Sequence, residues 1–124
     1  MRNLSESEVS SIRETVRDLT KDREIHALLA YGSQVAGYAS QSSDYDVIMV
    51  LKPFKQRVRY YYLDRTVECS VLVVDPKSFE NDCRKSTLGE FVSGRLLNAY
   101  YPIHGASYIS DHEVAFKRRC DHHE

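Results

Sequence analysis

The stretch Tyr31-Gly32-Ser33, followed after ten intervening residues by Asp44-Tyr45-Asp46 at the head of Val47-Ile48-Met49-Val50-Leu51, decides the fold. Ile25 to Tyr31 reads as a buried strand that ends at Gly32, and Asp46 to Leu51 as a second strand. Side chains alternate along a strand, so Asp44 and Asp46 point to the same side. Two neighbouring carboxylates repel unless a cation sits between them, and hard divalent cations such as magnesium prefer oxygen ligands. The Gly32-Ser33 turn offers backbone N–H groups and a hydroxyl to a phosphate. Gln34 to Ala39 reads as a short helix whose N-terminus faces whatever that turn holds. The combination points to metal-assisted chemistry on a nucleoside triphosphate.

The spacing resembles the Gly-Ser/Asp-x-Asp signature of the nucleotidyltransferase superfamily related to DNA polymerase beta. Within it, the chain is most similar to the minimal nucleotidyltransferases of prokaryotes. Gly37 matches the last glycine of their Gly-Ser-x-x-x-Gly turn, and Ser43 matches their Ser-Asp-x-Asp form. Glu68, in Val67-Glu68-Cys69-Ser70-Val71-Leu72-Val73-Val74, matches the family's third carboxylate on a later strand. The likeness covers roughly residues 25 to 79 and weakens towards residue 105. It implies that Asp44, Asp46 and Glu68 bind metal and catalyse, and that Gly32, Ser33 and Ser43 bind nucleotide. It implies magnesium as cofactor, two ions, with manganese as a substitute. It also implies the family's α/β fold of the α+β type: a mixed twisted sheet of about four strands with helices mainly on one face.

Outward from this centre, Ser5 and Glu8 form a capping box, and Val9, Ile12, Val16 and Leu19 follow at helical spacing. Pro53 stops the second strand, and Lys52, Lys55, Arg57 and Arg59 make the next connection basic. Val58 to Leu63 and Thr66 to Val74 read as a hairpin turning at Asp64-Arg65. Asp75-Pro76 is a helix cap followed by proline at the first helical position. Thr87 and Glu90 start a later helix, with Leu88, Phe91, Val92, Leu96 and Tyr100 on one face; Tyr101 to Gly105 ends it. Ser110 and Glu113 open a last helix. This reading gives a nucleotidyltransferase domain over 1–105 and a C-terminal extension over 106–124, the start of a truncated or partner-docking segment.

Lys and Arg total 17 against 18 Asp and Glu, so bulk charge argues neither for nucleic acid nor for a membrane. The polar first residues carry no signal peptide core, and no apolar run approaches the length of a membrane span. Three cysteines (Cys69, Cys83, Cys120) without a pairing pattern suit reduced thiols and a cytoplasmic setting. His104, His112, His122, His123 and Cys120 match no zinc-ligand spacing. His26 reads as a packing or edge residue. Tyr60, Tyr61 and Tyr62 alternate faces, so only some can meet one ligand.

The resemblance implies transfer of a nucleoside monophosphate, AMP from ATP, to a hydroxyl with release of pyrophosphate. The acceptor is a protein hydroxyl, as in antitoxins that adenylylate a partner toxin, or a small molecule; RNA fits less well. Two departures bear on activity. Val35 and Ala36 stand where the family turn often carries a small residue and an arginine; Arg57, Arg59, Arg65 or Lys52 are the candidate substitutes, and Lys85 and Arg95 on later helices are further cations that could approach a triphosphate. The third carboxylate is Glu rather than Asp. The competing reading is a catalytically inactive nucleotide-binding or protein-interaction module, such as an antitoxin acting with a helical partner.

Overall fold

The computed structural model of the chain describes residues 3–37, 44–55, 58–85 and 100–121. Ser5 caps the first helix, α1 (Glu6–Thr15): its hydroxyl accepts from the Glu8 amide, and the Glu8 carboxylate accepts from the Ser5 amide. A 3-10 turn over Arg17–Thr20 carries the chain into β1 (Glu24–Tyr31). There follow the single-turn α2 (Ser33–Ala36), β2 (Tyr45–Lys52), β3 (Val58–Asp64), β4 (Glu68–Val74) and α3 (Pro76–Lys85). β5 (Tyr100–His104) and α4 (Ala106–Asp121) complete the described chain. The Asp75 carboxylate caps α3 by accepting from the Ser78 amide at 3.1 Å.

The five strands form one mixed sheet in the order β3-β4-β2-β1-β5. β2 runs parallel to β4, and the other three pairings are antiparallel. The sheet therefore has five strands rather than about four. The fifth is Tyr100–His104, which helical spacing and Pro102 led the sequence reading to treat as a helix end. Pro102 sits at the sheet edge, where a missing N–H costs no ladder bond on the open side. The later helix expected from Thr87 lies outside the described residues up to Tyr100.

Helices lie on both faces, α3 and α4 on one and α1 on the other, where the sequence placed them mainly on one. β1, β2 and β4 read as continuous apolar runs because both sides are buried. On one side Ile12, Val16 and Leu4 pack on Leu28, Val47, Met49, Val71 and Val73. On the other, Phe79 and Cys83 of α3 and Ile109 and Phe116 of α4 pack on Leu29, Ile48, Val50, Leu72 and Val74. Residues of 106–121 thus enter the same core as the sheet. Tyr108 donates to Glu80, and Tyr100 to Glu113, tying α4 to α3 and β5. Among the described residues, no helix is long and apolar enough to cross a membrane.

Candidate functional site

The Gly-Ser turn and the carboxylates meet at one end of the sheet, where β1 leaves and β2 and β4 begin. Tyr31 pairs with Asp46 across β1 and β2, so the next residue, Gly32, lies beside the Asp46 side chain. A Cβ on Gly32 would collide with the Asp46 carboxylate, and Gly32 holds φ 81° and ψ −159°, a region essentially reserved for glycine. Only a bare backbone admits the carboxylate here. Ser33 opens α2, which closes through the Ala36 and Gly37 amides donating to the Gly32 and Ser33 carbonyls. Gly37 ends it at φ 91°.

Parallel register brings the third acid alongside. Tyr45 pairs with Cys69 and Asp46 with Ser70. Asp44, Asp46, Glu68 and Ser70 then share one face by strand alternation. This is the face that α3 and α4 cover further along, through Ile48 and Leu72. The Ser70 hydroxyl donates to Asp44 Oδ2 at 2.5 Å. β3 adds Tyr62 opposite Ser70 and Asp64 opposite Glu68. Tyr62 is 61% exposed. Its phenol is pushed above 10 by desolvation, by its hydrogen bond with Glu68, and by the charges of Glu68, Asp64 and Asp44. The buried Cys69 thiol is pushed up to about 12 by desolvation and by the Asp44 charge, so it is no nucleophile.

Among the described residues, Asp44, Asp64 and Glu68 form no ion pair. Carboxylate oxygens on adjacent register positions suit a hard divalent cation in kind. As they stand, no three His, Cys, Asp or Glu side chains among the described residues come together as a set of metal ligands. Joining them on an ion requires the carboxylates to turn towards a common point.

Gly32, Ser33, Asp44, Asp46 and Glu68 thus gather at one sheet end, while Ser43 lies outside the described residues. Sequence reading missed Ser70 and Tyr62. Ser70 was accessible to it, since it stands two residues after Glu68 on the same strand face. Tyr62 required the hairpin register. Of the substitute cations, two of those described stand far from the turn. Lys52 and Arg59 are at the opposite end of the sheet, Lys52 about 20 Å from Asp46 at the rise of an extended strand. Arg65 is engaged by Asp18. Lys85 ends α3 exposed, and Arg57 and Arg95 lie outside the described residues.

Among the described residues, the histidines form no common centre. His104 is exposed on β5, and His26 and His112 instead flank the Tyr108 ring at 5.6 and 4.6 Å between centroids. The Cys120 side chain, His122 and His123 lie outside the described residues. No protein-family model matches the chain, and no curated protein matches it.

Proposed function

We propose that the chain is a magnesium-dependent nucleotidyltransferase that moves a nucleoside monophosphate, AMP from ATP, onto a hydroxyl and releases pyrophosphate. The observation that carries this reading is the seating of the Asp46 carboxylate against the bare backbone of Gly32. That contact joins a phosphate-gripping turn to an acidic strand start. Asp44 and Asp46 hold the metal, and Glu68 completes the set. Magnesium, or manganese in its place, supplies Lewis-acid neutralisation of the charge that grows on the phosphate oxygens.

The chain's own groups do the rest. The Gly32-Ser33 backbone and the Ser33 hydroxyl grip the terminal phosphates and hold pyrophosphate as it leaves. The acceptor oxygen forms a bond to the α-phosphorus as the bond from that phosphorus to the bridging oxygen breaks. The acceptor's proton passes to Glu68. Ser70 orients Asp44 through its hydrogen bond. The acceptor is a protein hydroxyl or a small molecule.

The test is calorimetric titration with nonhydrolysable analogues of each nucleoside triphosphate, with magnesium and then with EDTA. Magnesium-dependent binding of one triphosphate is expected. The Asp44→Asn, Asp46→Asn double variant should lose it and keep the fold, whereas Glu68→Gln should lose turnover with a smaller effect on binding. A double variant that binds like the parent would overturn the site. Tyr60 and Tyr62, 50% and 61% exposed on β3 with Tyr62 beside the carboxylates, favour a second reading, an inactive module that docks a helical partner. Binding without transfer to any hydroxyl would select it.

A further inference from the structure

Pro53, Phe54 and Lys55, which follow β2, take no part in the proposed reaction, yet they help to build a groove of their own. Lys21 and Arg23 before β1, Phe54 and Lys55 after β2, and Arg59 and Tyr61 on β3 line a recess of about 470 Å³. Among the described residues, four cations face it against the single carboxylate of Asp22. The whole chain carries a formal charge of −1, so this excess is local. None of the four forms an ion pair among the described residues.

Two of these cations are fixed over rings. The Arg23 guanidinium lies 5.5 Å from the centroid of Phe54 and also donates to the Leu19 carbonyl at 3.2 Å. The Arg59 guanidinium lies 4.7 Å from the centroid of Tyr61. A guanidinium held over a ring keeps N–H donors for a phosphate and a flat surface for a base. Lys21, Lys55 and Arg59 are exposed, so the recess cannot enclose a small molecule as a typical ligand pocket does. Cations strung along an open groove beside aromatic rings are what a nucleic acid single strand requires: charge for the backbone and flat surfaces for the bases.

We propose that this groove binds single-stranded nucleic acid, with Lys21, Lys55 and Arg59 on the phosphates and the Arg23–Phe54 pair under a base. The site is at the opposite end of the sheet from Asp46, and it stands whether or not the chain transfers nucleotides.

The test is fluorescence anisotropy of a fluorescein-labelled twelve-residue oligouridylate titrated with the full chain at several salt concentrations. The parent should bind with a salt-dependent affinity. Lys21→Gln, Lys55→Gln, Arg59→Gln together should weaken binding at least about ten-fold and reduce the slope of log K against log salt by about two, at roughly 0.7 per phosphate neutralised. The charge-matched control Lys77→Gln, Arg84→Gln, Arg118→Gln, on exposed helix positions, should stay within about two-fold of the parent. The proposal is overturned if the parent shows no salt-dependent binding, or if the control loses as much as the groove variant. It is overturned equally if free uridine monophosphate displaces the strand at equal phosphate concentration, or if phosphatidylserine vesicles capture the chain while the strand does not.

Discussion

Gly32 and Asp46 occupy a single space: the carboxylate of one lies where any side chain on the other would have to be. Their proximity follows from the antiparallel pairing of Tyr31 with Asp46, one residue before the turn. The Gly32-Ser33 turn and the acidic strand start are therefore one mechanical unit.

Gly32→Ala should break that unit. The new methyl must displace the Asp46 carboxylate, and alanine must adopt a glycine-only backbone, a strain of about 1–3 kcal/mol. Urea denaturation should report that loss, and calorimetry should report loss of magnesium-dependent triphosphate binding. Gly37→Ala is the comparison. Its Cβ would meet nothing within 4 Å, so only the strain of φ 91° applies and Asp46 stays in place. Equal binding losses in the two variants would count against the Gly32–Asp46 contact as the cause.

Phe116→Ala should unfold the domain more readily by about 3–5 kcal/mol, the cost of emptying a buried aromatic site. Phe116 is fully buried in the layer formed by Phe79, Ile109 and the sheet. Val114, two residues away and 45% exposed, is the control, and its change to alanine should stay within about 0.5 kcal/mol. Matching urea midpoints for the two variants would mean that α4 does not brace the sheet in solution.

Stability should fall in mild acid, in part through His112. Burial holds its imidazole below the ordinary 6.5; Glu80 and Asp111 oppose this and Arg84 assists it. The folded chain therefore releases this proton more readily than the unfolded chain. The contribution is fully present above pH 6.5 and is lost as the pH falls through the folded value. His112→Phe keeps ring contact with Phe79 and Tyr108 while removing the titration. Its melting temperature should decline less than the parent's between pH 7 and 5. Parallel curves would show that burial of His112 does not contribute.

Much of the chain was legible because its local chemistry and its fold agree. The Ser5–Glu8 capping box, the strands on either side of Gly32, the hairpin turning near Asp64 and the Asp75 cap all form as their residues dictate. Tyr100–His104 was misread because its hydrogen bonds come from β1, a partner some seventy residues earlier that no local pattern reveals. The second helix layer was missed for a related reason. Continuous apolar strands show that both faces are buried, but not which helices bury them.

The sequence alone determined the spacing of Gly32, Ser33, Asp44 and Asp46, and through strand alternation the common direction of the two aspartates. These are properties of a few bonded neighbours. Tertiary structure decided what lies across the sheet: Gly32 against Asp46, Ser70 on Asp44, Tyr62 on Glu68. It also decided that Lys52 and Arg59 stand far from the carboxylates, while Lys21, Arg23, Lys55 and Arg59 share one groove. Net charge concealed that groove, because summing over a chain discards position, and only strand register and order restore it.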